Sequence, residues 1–124
     1  MITEIAQIDV KPGTEAEFEK GVKQAVPIFQ RAKGCRSMEL RRSIEKPSRY
    51  RLFVGWDTVE NHTNDFRGSA DFQEWRKLVA HCFASPPDVE HVSEVVRGFQ
   101  RVIRKSGHGF PKRSFSDILK RYND

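Results

Sequence analysis

The sequence predicts an α+β domain with the ferredoxin-like βαββαβ arrangement, and three observations support this. Four short stretches of alternating or apolar residues predict β-strands. Two further segments, one after the first strand and one after the third, have apolar residues at three- and four-residue steps and predict helices. The resulting order is that of a split βαβ fold with an antiparallel sheet. At 124 residues the chain has the length of a single domain.

The first strand and first helix are joined by a short turn. Residues 1–10 alternate and predict the strand, and the Pro-Gly pair that follows predicts the turn. Thr14 and Glu17 have the spacing of a capping box, which predicts that a helix begins here. Pro27 lies inside the helical pattern and is expected to bend or locally break that helix, because proline lacks the backbone donor that a helix interior needs.

The next two strands form a predicted hairpin. Gly34 is expected to end the first helix, and residues 35–45 predict the second strand. A short polar connection leads to residues 50–56, which are rich in aromatic and β-branched side chains and predict the third strand. Antiparallel pairing of these two strands follows from the short connection.

The second helical region has two parts. Thr58 is placed to cap a short helix that ends at Gly68, and Ser69 is placed to cap a second helix. The apolar face of the second helix consists of Phe72, Trp75, Val79 and Cys82. Two prolines then interrupt the chain, and residues 88–97 predict the fourth strand.

Two helices can cover only one face of a four-stranded sheet. Several strand residues are too apolar for the second face to lie in water, namely Ile2, Ala6, Ile8, Leu52, Val54, Trp56 and Val95. We therefore expect a symmetric homodimer in which two sheets meet face to face, an α+β barrel.

The charge divides the chain into a domain, residues 1–97, and a basic C-terminal extension, residues 98–124. The first part holds 15 Lys and Arg against 15 Asp and Glu, so the net charge of +5 belongs to the extension. Ser114 is predicted to open a short amphipathic helix there, with an apolar face of Phe115, Ile118, Leu119 and Tyr122. This helix is expected to dock on its own dimer. The alternative is an anionic partner, either nucleic acid or an acidic membrane surface.

Composition argues against several other classes of protein. No apolar run approaches the roughly 20 residues that a transmembrane helix needs. The N-terminus lacks the pattern of a signal peptide, so a cytoplasmic protein is expected. Cys35 and Cys82 have neither metal-ligand nor disulfide-framework spacing and are expected to be reduced thiols. No metal site is predicted, and no nucleotide-binding glycine motif is present.

Four motifs together resemble a known family. They are the Pro-Gly helix opening after the first strand, the Gly-Cys pair at 34–35, W-x-T-x-E-x-H at 56–62, and F-x-x-S-x-x-F at 66–72. In these respects residues 1–97 resemble the antibiotic biosynthesis monooxygenase domain family, whose members are small dimeric α+β barrels. The resemblance does not extend to the basic C-terminal extension.

The resemblance implies a cofactor-independent monooxygenase that oxidises a hydroquinone or a polycyclic phenol or anthrone with O2. Two alternatives remain open, a non-catalytic ligand-binding or interaction dimer and an isomerase or lyase that only transfers protons. The haem-degrading branch of the resemblance is disfavoured. Its axial histidine would fall at Arg76, and its paired asparagine near Ala6 or Gln7. No bound cofactor is expected.

His62 is the candidate catalytic base, since a neutral imidazole can accept a phenolic proton. Its alternative role is structural, as a side chain that orients the helix turn through Asp65 or the backbone. The candidate substrate-binding residues are Arg51, Trp56, Asn61, Phe66, Phe72 and Trp75. The aromatic members would stack on a flat substrate or belong to the core. Arg51 would stabilise a substrate oxyanion or be a solvated or dimer-edge charge. Asn61 would hydrogen-bond a substrate oxygen or be a turn-forming polar residue.

Overall fold

The computed structural model describes residues 1–103, and Met1–Ser93 form one compact unit. The unit contains strands β1 (Ile2–Asp9), β2 (Cys35–Arg42), β3 (Arg49–Trp56) and β4 (Asp88–Val92), and helices α1 (Glu15–Gln30) and α2 (Ala70–Val79). The predicted βαββαβ order and ferredoxin-like fold are confirmed. The fourth strand was predicted too long, because it ends at Val92 and residues 94–103 contain no helix or strand.

The four strands form one antiparallel sheet in the order β2-β3-β1-β4. β1 therefore lies in the interior of the sheet, whereas β4 is an edge strand. The register places Glu4 of β1 opposite Val54 of β3 on one side and opposite His91 of β4 on the other. Because successive side chains of a strand point to opposite faces, all three of these side chains share one face of the sheet.

The predicted composition of the open sheet face was wrong. Ala6, Ile8, Leu52, Val54 and Trp56 are all buried on the face that the helices cover. The opposite face carries mainly polar residues, with a few apolar ones, and includes Ile5, Gln7, Glu39, Arg41, Arg51, Phe53 and Glu90. Alternation alone does not reveal which set of side chains the helices cover. The apolar set proves to be the core, and the homodimer stays a prediction that this structure does not test.

Helix α1 begins after Thr14 without the predicted capping box. The hydroxyl of Thr14 donates to the carbonyl of Lys11 (2.7 Å), and the amide of Gly13 donates to the carboxylate of Glu15 (2.9 Å). A threonine and a glutamate therefore still stabilise the turn, but their hydrogen-bonding partners differ from those of a capping box. The predicted break at Pro27 does not occur, since the helix continues through it to Gln30.

The segment between β3 and α2 contains a π-helical turn, Asn61–Phe66. The capping role predicted for Thr58 is confirmed, because its hydroxyl accepts a hydrogen bond from the amide of Asn61 (3.1 Å). The cap predicted at Ser69 is also confirmed, with the hydroxyl accepting from the amide of Phe72 (3.2 Å). Both helical parts thus begin where the sequence places them.

The core lies between the sheet and the two helices. Its fully buried members include Phe18, Tyr50, Val54, Trp56 and Val79. Within the described part of the chain, no helix is long and apolar enough to cross a membrane. The amphipathic helix predicted from Ser114 onwards lies outside the described residues, and the domain boundary at residue 97 stays a prediction.

Candidate functional site

A cavity of about 380 Å³ lies between the helix-covered face of the sheet and the segment from the π-helical turn through α2. Its lining is mainly apolar and aromatic, with four ionisable side chains. The lining residues are Glu4, Ala6, Ile8, Phe29, Leu52, His62, Phe66, Arg67, Phe72, Trp75, Arg76, Phe83, Pro87 and Val89. A concave apolar site with a few polar groups is the usual form of a small-molecule binding site.

The π-helical turn explains how His62 reaches this cavity. The wider turn buries both His62 and Phe66, which are four residues apart and 3% and 4% exposed. Asn61 anchors the start of the turn, because its amide oxygen accepts from the backbone amide and the hydroxyl of Thr58 (3.1 and 3.0 Å). Isolated π-helical turns occur frequently at functional sites.

Both ring nitrogens of His62 lie beside ionisable side chains. Nδ1 is hydrogen-bonded to Nε2 of His91 at 2.8 Å. Nε2 lies 3.3 Å from Oε1 of Glu4, just beyond the usual hydrogen-bonding range. The three side chains therefore form a continuous row from the cavity wall to the edge strand β4.

The carboxylate of Glu4 is buried in the sheet face and is only 6% exposed. Its Oε1 atom accepts a hydrogen bond from Nε1 of Trp56 at 3.0 Å. Trp56 also stacks on the imidazole of His62, with ring centroids 5.5 Å apart and an angle of 19° between the planes. The indole thus holds both members of the Glu4–His62 pair in place.

Burial shifts the ionisation of both groups towards their neutral forms. Desolvation, together with the nearby charges of Arg67 and His91, lowers the pKa of His62 to about 4. Desolvation raises the pKa of Glu4, an effect that the hydrogen bond from Trp56 and the charge of Arg67 oppose in part. His62 is therefore neutral at pH 7, and Glu4 is held closer to neutrality than an exposed carboxyl group. Perturbed acids and bases in a cleft are typical of functional sites.

Two arginines bring positive charge to the cavity. Arg67 follows the π-helical turn, and Arg76 lies on α2 one residue after Trp75. Within residues 1–103 neither guanidinium has a carboxylate within salt-bridge distance, whereas most other arginines in this range do. Arg67 and Arg76 are therefore available to an anionic ligand.

The structure brings some of the predicted site residues together and separates others. His62, Phe66, Phe72 and Trp75 all line the cavity. Trp56 lies behind His62 rather than at the cavity surface, as its stacking and its bond to Glu4 show.

Arg51 and Asn61 do not join this cavity. Arg51 points to the opposite face of the sheet and donates to Gln7 (3.0 Å). Asn61 is occupied with Thr58 and with Asp65, to which its amide donates (3.0 Å). In this arrangement Arg67 takes the place that the sequence analysis gave to Arg51, whereas Asn61 supports the turn.

Sequence reasoning missed Glu4, His91, Arg67 and Arg76. The signal for Glu4 was present, because it falls in phase with Ala6 on the strand face that proves to be buried. An isolated carboxylate in such a phase is costly unless it has partners, and so indicates a functional or paired group. His91 lies 29 residues from His62, and only the strand order brings them together.

A separate set of potential metal ligands lies where the start of α1 meets the residues that follow α2. Among the described residues, ligand atoms of Glu17, His81 and Cys82 lie within 4.8 Å of one another. Glu17 accepts from the thiol of Cys82 (3.6 Å) and lies 3.2 Å from Nε2 of His81. Hydrogen bonding and ion pairing within the set account for this arrangement.

The chain is similar to known proteins in sequence and in fold. The family profile described as antibiotic biosynthesis monooxygenase matches residues 1–78. The chain belongs to this family. The uncharacterised protein YczJ of Bacillus subtilis is 40% identical over 95 residues, which are 77% of this chain and 100% of YczJ.

Two solved structures have a similar fold. A protein of Bordetella bronchiseptica, provisionally described as an antibiotic biosynthesis monooxygenase, is 62% identical with a TM-score of 0.76, over 77% of this chain and 97% of its own. SnoaB of Streptomyces nogalater, a cofactor-independent oxygenase, is 16% identical with a TM-score of 0.68, over 80% of this chain and 97% of its own. At this identity the likeness to SnoaB shows the fold alone.

Proposed function

We propose that the protein is a cofactor-independent monooxygenase that oxidises a hydroquinone or a polycyclic phenol or anthrone with O2. The observation that carries this proposal is the buried Glu4–His62 pair in the wall of an apolar cavity. Membership of the antibiotic biosynthesis monooxygenase family supports the reaction type. The substrate class is the one that the family resemblance implies, and the apolar, aromatic lining of the cavity supports it.

The lining of the cavity suits a flat aromatic molecule. Phe66, Phe72 and Trp75 line it, and the rings of Phe66 and Phe72 meet edge to face at 5.7 Å. Such edges and faces are the surfaces on which a planar ring packs well. Leu52 and Ala6 supply an apolar floor from the sheet.

The proposed chemistry begins with removal of a proton from the substrate by the Glu4–His62 pair. The resulting phenolate or enolate is electron-rich and reduces O2 directly. One oxygen atom then enters the substrate, as a quinone oxygen in an anthrone or as a ring hydroxyl in a hydroquinone, and the other leaves as water with two hydrogens from the substrate. Arg67 faces the same pair and would stabilise the anion while it persists.

Oxygen uptake by the purified protein tests this proposal. The substrates are a panel of hydroquinones and an anthrone, used with and without a chelator. We expect protein-dependent uptake that survives the chelator and falls about 100-fold or more in His62→Gln. His81→Gln is the matched control, because His81 lies beside Glu17 rather than at the cavity, and it should retain full activity.

Two results would contradict the proposal. Equal oxygen uptake by His62→Gln and by the parent protein would show that the cavity takes no part in the reaction. Ligand binding without uptake for any substrate, from a folded protein, would instead support the alternative of a non-catalytic binding dimer.

We also propose that the active form is a homodimer, as the family resemblance implies, and that the protein is cytoplasmic. Ile5 and Phe53 face each other across β1 and β3 on the sheet face that no helix within residues 1–103 covers, and supply an apolar centre for a contact. Cys35 and Cys82 are free thiols, as expected in a reducing compartment. Light scattering should report a dimer for the parent protein and a monomer for Phe53→Glu.

A further inference from the structure

We propose that Glu4, His62 and His91 form a proton path, in which Glu4 exchanges the proton with the substrate and His91 exchanges it with solvent. This inference rests on the proposed proton abstraction in the cavity and assigns its steps to atoms. It differs from a mechanism in which His62 alone acts as the base.

The geometry of His62 favours a relay over a terminal base. Nδ1 is already hydrogen-bonded to His91 at 2.8 Å, and Nε2 lies 3.3 Å from Glu4. A substrate that bonded directly to either nitrogen would have to displace a protein partner. The carboxylate of Glu4 lines the cavity and has a second oxygen, so it can meet the substrate while it keeps its contact with His62.

His91 provides the outer end of the path. It lies on the edge strand β4, is half-buried, and is not part of the cavity wall. Among residues 1–103, its Nδ1 atom has no hydrogen-bonding partner, whereas its Nε2 atom is bonded to His62. The free nitrogen of His91 is therefore the point at which the row can exchange a proton with water.

If Glu4 and His62 close the 3.3 Å between them to a hydrogen bond, the row has two arrangements that differ by one proton. In the first, protonated Glu4 donates to Nε2 of His62, Nδ1–H of His62 donates to Nε2 of His91, and His91 carries its proton on Nδ1. In the second, Glu4 is a carboxylate that accepts from Nε2–H of His62, and Nδ1 of His62 accepts from Nε2–H of His91. Trp56 donates to Glu4 in either arrangement.

Conversion of the first arrangement into the second exports one proton. The proton of Glu4 moves to Nε2 of His62, the Nδ1 proton of His62 moves to Nε2 of His91, and the Nδ1 proton of His91 passes to water. No oxidant, reductant or bound ion takes part, and the reverse sequence returns the proton to Glu4. In the proposed oxidation, Glu4 takes the substrate proton before O2 reacts and returns one to the reduced oxygen afterwards.

The surrounding charges make Glu4 able to exist in both forms. Burial raises the pKa of Glu4, whereas Trp56 from β3 and Arg67 after the π-helical turn oppose that rise. On β2, burial and the charge of Glu4 both raise the pKa of the Cys35 thiol. On the imidazole side, Arg67 and His91 disfavour a stable imidazolium at His62. The path therefore moves protons without holding a long-lived positive charge on His62.

Nitrogen NMR of the full chain with isotope-labelled histidine tests the path without any substrate. As the pH rises through the pKa of Glu4, we expect His62 to change from the Nδ1–H to the Nε2–H tautomer, and His91 to change in the same step. A single tautomer of His62 across the whole Glu4 titration would overturn the proposal. Because this test needs no turnover, it can succeed or fail independently of the proposed oxidation.

Two variants complete the test. In Glu4→Gln the pH-dependent tautomer change should disappear, whereas in the control His81→Gln it should persist. In His91→Gln, which lies outside the cavity wall, oxygen uptake on the anthrone should fall and should recover when imidazole is added to the solution. If the uptake of His91→Gln equals that of the parent protein at low buffer concentration, His91 is not the solvent end of the path.

Discussion

Nδ1 of His62 lies 2.8 Å from Nε2 of His91, although 29 residues separate them in the sequence. The contact exists because β4 pairs with β1 and places His91 directly across from Glu4. The π-helical turn then brings His62 over the same point of the sheet. A buried acid and a buried imidazole therefore meet at the wall of one cavity, and a half-buried imidazole outside that wall is hydrogen-bonded to the buried one.

The low pKa of His62 predicts that acid destabilises the fold. In the folded protein this pKa is about 4, below the ordinary 6.5, so between these values the unfolded chain binds a proton that the folded chain does not. Stability should therefore fall as the pH drops through this range, by about 3 kcal/mol at pH 4. Urea unfolding of the parent protein and His62→Gln measures the effect.

The comparison with His62→Gln isolates the histidine from other acidic groups. The stability advantage of the parent protein over the variant should be largest near neutral pH and should shrink as the pH falls to 4. An advantage that stays constant over this range would show that His62 has an ordinary pKa. Glu4 acts in the opposite sense, because its raised pKa makes its contribution disappear as the pH rises.

Arg67 should tune the ionisation of His62 through its charge. Its guanidinium is one of the causes that lower the pKa of His62, so Arg67→Gln should raise that pKa. NMR titration of the imidazole measures the change. Arg51→Gln removes the same charge from the other sheet face and should leave the pKa of His62 where it is. Equal shifts in the two variants would contradict a local effect.

Trp56 should stabilise Glu4 by donating one hydrogen bond. Trp56→Phe keeps an aromatic ring but removes Nε1–H, which donates to Glu4 at 3.0 Å. The pKa of Glu4 should rise further, and the free energy of unfolding should fall by about 1–3 kcal/mol because a buried acceptor loses its partner. Carbon NMR of the Glu4 carboxyl and urea unfolding measure the two effects. Trp75→Phe is the matched control, and an equal rise in both variants would refute the assignment.

Gly34 should be required for the position of the π-helical turn. Its φ is +76°, and a Cβ atom there would meet the side-chain amide of Asn61. Gly13 also has a positive φ, +95°, but a Cβ atom there would meet nothing within 4 Å. Gly13→Ala should thus cost about 1–2 kcal/mol of stability, from backbone strain alone. Gly34→Ala should cost about 1–3 kcal/mol more because of the overlap.

Thermal or urea unfolding of the two alanine variants checks this difference, and histidine NMR adds a second measurement. Gly34→Ala should also perturb the His62–His91 pair, because Asn61 directly precedes His62 in the turn. If both variants lose the same stability and keep the same histidine spectrum, the contact between Gly34 and Asn61 does not position the turn.

The element order was predictable because local patterns specify it. Alternation predicted the strands, and the caps at Thr58 and Ser69 were read from single residues with a known physical role. The capping box at Thr14 does not form because the amide and the hydroxyl of Thr14 both donate to the carbonyl of Lys11. Local sequence shows which residues can form a cap but does not determine whether the preceding turn takes their hydrogen bonds instead.

The site was only half predictable, since its parts come from separate elements. His62 and the aromatic residues after it lie in one continuous stretch, and so were found together. Glu4 and His91 join them only through strand order and register, which no local pattern contains. The π-helical turn was also missed, because its apolar spacing fits an ordinary helix.

The most direct test of the central claim is hydrogen–deuterium exchange at the reactive carbon of an anthrone, measured by NMR without oxygen. Proton abstraction then becomes visible before any oxidation, and the claim that Glu4 and His62 act on a ligand in this cavity is tested alone. We predict protein-dependent exchange that is lost in Glu4→Gln and in His62→Gln but retained in His81→Gln. Exchange no faster than in buffer, or equally fast in all three variants, would contradict the account.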